Sequence, residues 1–143
     1  MARALSSETL HATSVAIGGR AVLLSGPSGS GKSDLALRLI DRGAVLVSDD
    51  YTLVKRIAPG RTIAAAPETI AGKMEVRGIG IVPMQYENDV PVALIVYLID
   101  QIERMPVELT TRSIAGVDVP VARVAPFEMS APIKVELALK AQP

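Results

Sequence analysis

Apolar residues along this chain fall mostly in short runs bounded by glycine, proline and charged positions, a pattern that predicts strands far more often than helices. Thr13 to Ile17, the pair Gly18-Gly19, and Arg20 to Leu24 read as strand, tight turn and strand. Asp34 to Ile40 then carries apolar residues at helical spacing, with Gly43 as its terminator. Ala44 to Val47 predicts a buried strand running straight into Ser48-Asp49-Asp50. Further strands are expected over Tyr51 to Ile57, Thr62 to Ala66 after a turn at Pro59-Gly60, and Met74 to Val82. Val92 to Ile99, rich in β-branched residues, reads as a central strand. Val117 to Val124, interrupted by Pro120, reads as an edge strand or bent ribbon, and Ile133 to Lys140 as a closing helix. The fold class is therefore α/β with a mixed, largely β-sheet core. Kinases that alternate strand and helix throughout are patterned differently.

Between the first hairpin and the first helix lies Gly26-Pro27-Ser28-Gly29-Ser30-Gly31-Lys32-Ser33. Strand, glycine-rich loop and helix in this order form a phosphate-binding loop (P-loop). Its backbone N–H groups curl around a β-phosphate, and the helix turns its positive end to the same anion. In this reading Lys32 faces the β- and γ-phosphates and Ser33 offers its hydroxyl to Mg²⁺. A Gly/Ser-rich turn that binds nothing is the competing reading, and it lacks a reason for the Lys-Ser pair or for the strand before it.

Composition narrows the partners. The chain has 143 residues, which predicts one domain over 1–143, with fifteen basic and fifteen acidic side chains. Balanced charge gives no electrostatic footprint for nucleic acid and no basic patch for a membrane. Cysteine is absent, so disulfides and thiolate metal sites are excluded. Neither a signal-peptide pattern nor an apolar run of membrane-spanning length is present, and a soluble, cytoplasmic protein is expected. One Phe and three Tyr leave an aliphatic core.

Phosphoryl transfer needs an acidic group that orients or deprotonates the attacking hydroxyl. Asp49 and Asp50 meet that need if their strand lies beside the strand that enters the loop. On an extended backbone adjacent side chains point to opposite sides. Asp50 is therefore read as the base and Asp49 as support for metal or water; a simple turn before Tyr51 is the plainer alternative. Glu75 and Arg77 alternate with Val76 and so share one face of a predicted strand, either as a surface ion pair or as a site wall. Gly78 and Gly80 leave room for close approach there. His11 is the only histidine, and a lone histidine is more commonly a surface residue than a catalytic one.

Taken together, these motifs resemble the HPr kinase/phosphorylase family, which phosphorylates a serine of the phosphocarrier protein HPr in bacterial phosphotransferase systems. The resemblance rests on Gly26 to Ser33 followed by Asp34, on Arg42-Gly43 with Leu46 to Asp50, and on Glu75-Val76-Arg77-Gly78-Ile79-Gly80-Ile81. His11 and Glu103-Arg104-Met105 also fall where that family carries a histidine and an active-site arginine. It spans roughly residues 10 to 105. The resemblance implies a fold similar to the HPr kinase catalytic domain and its phosphoenolpyruvate carboxykinase-like relatives. It further implies ATP and Mg²⁺ as cofactors, HPr as partner, and a homo-oligomer, often a hexamer. Glu75 is implied as a Mg²⁺ ligand, His11 as a phosphate contact and Arg104 as a charge-stabilising group. The chain departs from the family in three respects: it has no counterpart of the N-terminal domain, its Val82 to Val92 stretch is short, and it has no Gly-Arg-Asn-type segment near Arg123 to Ser130. The last departure predicts weak reverse, phosphate-dependent turnover.

The expected activity is transfer of the γ-phosphoryl group of ATP to a seryl hydroxyl of HPr, with His11, Lys32, Asp50 and Arg104 as catalytic candidates. A small-molecule kinase of shikimate or gluconate kinase type is the alternative, although it would need an arginine-bearing lid and a helix-rich second half. A module that binds ATP without turnover is the other.

Overall fold

The computed structural model describes residues 6–100 and 110–143. Nine strands among them join in one sheet. They are β1 (Ser7–Leu10), β2 (Ala12–Ile17), β3 (Arg20–Ser25), β4 (Val45–Ser48), β5 (Thr52–Ala58), β6 (Arg61–Ala65), β9 (Val90–Leu98), β10 (Thr110–Ile114) and β11 (Val117–Val124). Two more, β7 (Lys73–Val76) and β8 (Gly80–Pro83), pair only with each other. Helices α1 (Lys32–Asp41) and α2 (Ala131–Lys140) complete the described elements, with a 3-10 turn at Glu68–Ile70. The sheet-dominated α/β class expected from the sequence is what the chain adopts.

The order of strands is β1-β5-β6-β9-β3-β2-β4, with β11 on β9 and β10 on β11. β9 is central as expected: β3 runs parallel along one edge, while β6 pairs at Val90 and Pro91 and β11 pairs parallel from Ile95 to Leu98. Alternation along β3 explains why both faces are apolar. Val22 and Leu24 join the cluster under α1 and α2, whereas Ala21 and Leu23 join a second cluster with Val54, Ala64 and Ile114. Four buried positions in a row on β3 therefore reflect two cores, not one.

Direction matters more for function than order. β3, β9 and β11 are mutually parallel, and β2 runs antiparallel to both β3 and β4. Four strands thus end at one edge of the sheet. Ser25, Ser48, Leu98 and Val124 are their last residues, and β2 begins there, with Ala12 opposite Ser25. Loops at the carboxyl ends of such strands are where α/β sheets gather ligands.

Four expectations need correction. The strand carrying Asp49 and Asp50 is not beside the loop strand, because β2 lies between β3 and β4. The stretch Met74 to Val82 is not one strand: Gly78 and Gly80 have φ of 86° and 119°, which reverse the chain between β7 and β8. Arg77 consequently lies in that turn and does not continue the strand of Glu75. Finally, β11 is not a plain edge strand: Val117 to Val121 pair with β10 and Val121 to Val124 with β9, so it changes partner along its length. Pro120 faces Thr111 of β10, and pairing to β9 starts at Val121, so the missing proline N–H leaves the second ladder intact.

Candidate active site

Chain reversal after β3 sets up the loop. Gly26 has no space for a side chain, since a Cβ would lie 2.5 Å from Ser30 Oγ and 3.4 Å from Leu98 Cβ. Ser30 N–H donates to the Pro27 carbonyl at 3.0 Å, and Gly29 (φ 83°) and Gly31 (φ 99°) supply the left-handed turns that bring the chain into α1. Among the described residues no side chain caps the start of α1 at Gly31. Its first N–H groups therefore have no side-chain acceptor at the cap position. Lys32 curls back over the loop, only 5% exposed, and Nζ donates to the carbonyls of Gly26 (2.9 Å) and Pro27 (3.2 Å).

Asp49 and Asp50 arrive at the same edge from β4 and separate into two environments. Asp49 is buried. Its Oδ1 accepts from Ser33 Oγ (2.6 Å) and Thr13 Oγ1 (3.1 Å), and its Oδ2 accepts from the backbone N–H of Glu75 (3.0 Å). Asp50 has φ of 68°, a left-handed conformation that Asp and Asn tolerate better than most residues. The expectation that an extended backbone sends the two side chains apart is therefore wrong in its reason. The turn at Asp50, not strand alternation, aims its half-exposed carboxylate at the loop, 4.0 Å from Lys32 Nζ.

His11 precedes β2 and stands over this turn. Its Nε2–H donates to Asp50 Oδ1 at 2.8 Å, and the ring stacks on Tyr51 with centroids 5.1 Å apart. The lone histidine thus holds the candidate base. Glu75 enters from β7 and lines, with Ser33, Asp49, Asp50, Gly78 and Ile79, a cleft of about 820 Å³ above the loop. The structure accordingly brings together His11, Lys32, Ser33, Asp49, Asp50 and Glu75. Arg104 lies outside the described residues, as do its neighbours Glu103 and Met105.

Sequence reasoning overlooked Thr13. Fully buried on β2, it donates to Asp49 and accepts the backbone N–H of Asp50 at 3.0 Å, so one hydroxyl fixes both carboxylate residues. Two polar residues, Thr13 and Ser14, inside an otherwise buried strand were the available signal. Thr13→Val keeps the shape but strands the Asp50 N–H and one Asp49 contact. A loss of about 1–3 kcal/mol in urea unfolding is expected, and an unchanged midpoint would show that water replaces the hydroxyl at no cost.

Known proteins share this chain's sequence and its sheet. The profile of the HPr Serine kinase C-terminal domain matches residues 3–135. HPr kinase/phosphorylase of Bordetella petrii is 36% identical over 123 residues, covering 78% of this chain and 40% of that protein. The enzyme of the same name from Caldicellulosiruptor bescii is 42% identical over 77 residues, covering 54% of this chain and 25% of its own length. The chain thus spans well under half the length of these curated relatives. Among solved structures, the Hpr(Ser) kinase/phosphatase from Coxiella burnetii superposes with a TM-score of 0.79 at 30% identity, covering 93% of this chain and 94% of that one. With the family profile covering nearly the whole chain and the sheet superposing on a solved relative, this chain belongs to the HPr serine kinase C-terminal domain family.

Proposed function

We propose that this chain transfers the γ-phosphoryl group of ATP to a seryl hydroxyl of the phosphocarrier protein HPr, in the presence of Mg²⁺. The observation that carries the reading is the pairing of a half-exposed Asp50 carboxylate, held by His11, with Lys32 at the mouth of an uncapped glycine-rich loop. Phosphates seat on the N–H groups of the loop and the first turn of α1, and Lys32 leaves the loop carbonyls to face the β- and γ-oxygens. Asp50 accepts the seryl proton as the hydroxyl oxygen attacks γ-phosphorus. The bond to the β,γ-bridging oxygen breaks and ADP leaves. His11 keeps one carboxylate oxygen oriented, so the other is free for the substrate.

The oxygen donors beside the loop fit Mg²⁺, which is commonly held by one or two carboxylates, phosphate oxygens and water. Ser33, Asp49 and Glu75 would hold it; Asp49 already aligns the Ser33 hydroxyl. When bound, it neutralises charge on the phosphates. Arg104 is proposed to add positive charge in the transition state, on the strength of the family resemblance alone.

HPr as partner is supported by the names of the relatives and by the open cleft, which leaves Asp50 accessible to a protein side chain. A cytoplasmic location is proposed because phosphotransferase substrates and ATP are found there. Among the described residues no helix is long and apolar enough to cross a membrane. Self-association, up to the hexamer of the family pattern, is supported by the exposed apolar side chains Met129, Ile133 and Leu137 on and before α2. The test is ADP release measured with HPr, with shikimate or gluconate, and with no acceptor. Release dependent on HPr is expected; release dependent on a small acid would transfer the site to the small-molecule kinases, and ATP binding without any release would make it a sensor. The same assay run backwards, from seryl-phosphorylated HPr with inorganic phosphate, is expected to yield little pyrophosphate. Arg123 is the sole cation between Val121 and Ser130, where a second anion would need donors.

A further inference from the structure

Phe127 is the only phenylalanine of the chain, and it is 72% exposed. An aromatic ring left in water forgoes the stabilisation that burial would give it. Its placement is nevertheless tightly determined. One edge lies against the loop: a Cβ at Gly31 would meet Phe127 Cζ at 3.0 Å and Cε1 at 3.1 Å. The backbone on either side is clamped by Arg38, which donates to the carbonyls of Pro126 and Glu128, and Arg38 is itself held by Asp34 through an N–H···O bond of 3.1 Å. Lys134 pins Glu128 from α2 at 2.7 Å. The ring is a fixed, exposed surface, not a loose side chain.

Its position relative to the reacting end follows from helix geometry. Ser33 faces Asp49, whereas Arg38 reaches the 126–128 segment, and at about 100° per residue these two helix positions point to different sides. The carboxylates and Phe127 therefore flank the start of α1 on different sides. Phe127 lines the cleft that holds Asp49, Asp50 and Glu75, and it also lines a second cavity of about 460 Å³. That cavity is walled by Pro27, Ser28, Leu98, Ile99 and Pro126, with Asp100 as a polar group. These residues meet because β3, β9 and β11 are parallel and end together.

Resting on the nucleotide reading above, we propose that Phe127 is the stacking platform for the nucleobase of the bound nucleotide, with the cavity beside it taking the base and ribose. A triphosphate whose γ end reaches Lys32 and Asp50 would carry its nucleoside toward the far wall of that cleft, where Phe127 stands with the second cavity beside it. Base–aromatic stacking has the strength to matter. Phe127 is thus a binding residue for the nucleoside, separate from the groups that handle phosphate.

Isothermal titration of the whole chain with Mg-ATP and with Mg-tripolyphosphate separates the two parts. Phe127→Ala is expected to weaken ATP by roughly tenfold and to leave tripolyphosphate within about twofold of wild type. The chain has no tryptophan, so in Phe127→Trp the indole emission reports on this position alone. ATP is expected to quench it, tripolyphosphate is not, and ATP affinity should return to near wild type. Equal loss of both ligands in Phe127→Ala would mean the ring only supports the loop and would overturn the platform. Unchanged ATP affinity would overturn it as well, with the loop reading intact. Wild-type protein that binds neither ligand would remove the loop reading, and the platform with it.

Discussion

Lys32→Ala is expected to lower phosphoryl transfer by on the order of 10³-fold at saturating ATP, with a smaller loss of ATP affinity. The reason is positional. Lys32 is nearly buried by its own loop, 4.0 Å from the Asp50 carboxylate, so a short swing away from the loop carbonyls would bring its charge to the β- and γ-oxygens in the proposed complex. Backbone amides of the loop can still bind an anion, but they carry no full charge to offset what builds up as the γ-phosphoryl group departs. The side chain also donates to the Gly26 and Pro27 carbonyls, so the variant's fold is checked by circular dichroism before its rate is interpreted. Wild-type turnover in a folded Lys32→Ala protein would contradict the assignment of the loop.

Asp50→Asn is expected to reduce kcat by roughly 10²-fold or more while ATP affinity changes little. Asparagine suits the left-handed backbone at this position as well as aspartate does, so the substitution removes basicity without straining the turn. Its amide also retains a partner for His11. Asp49→Asn should act differently. Asp49 accepts three hydrogen bonds, from Thr13, Ser33 and Glu75, and an amide nitrogen in place of one oxygen would oppose a donor. Reduced stability and a shifted Mg²⁺ requirement are expected there. Rates measured across Mg²⁺ concentrations for both variants check the pair; the reverse pattern would exchange the two roles.

Legibility of this fold in the sequence followed how local each decision was. The β2–β3 hairpin was readable because Gly18 and Gly19 take positive φ at the turn, and the loop because glycines, lysine and helix follow one another directly. β9 was readable as central from its β-branched run. By contrast β1 and β10 were not predicted at all: Ser7–Leu10 and Thr110–Ile114 are mostly polar strands, each with one pairing partner among the described residues, and they carry no apolar alternation. The β7–β8 hairpin misled for the opposite reason. Ile79 and Ile81 prolong the apolar content of Met74 and Val76 in sequence but fall in the opposite phase, and both lie exposed around a glycine turn. Neighbour order was also out of reach, since nothing in Leu46 to Asp50 reveals that β2 separates that strand from β3.

The site was legible as a set of residue types and illegible as an arrangement. Asp49 and Asp50 were separated in role by a reason that the backbone at Asp50 does not obey. The partnership of His11 with Asp50 spans a pairing of distant segments that no spacing announces. Thr13 was hidden because threonine is unexceptional in a strand. Its importance comes from total burial beside two carboxylates, a property of the folded chain alone.

The most direct test is mass spectrometry of HPr after incubation with this chain, ATP and Mg²⁺, run alongside the Asp50→Asn variant. The predicted result is HPr carrying one phosphoryl group on a serine, formed by the wild-type chain and scarcely formed by the variant over the same interval. Unmodified HPr, a phosphoryl group on another residue type, or equal modification by both proteins would contradict the account.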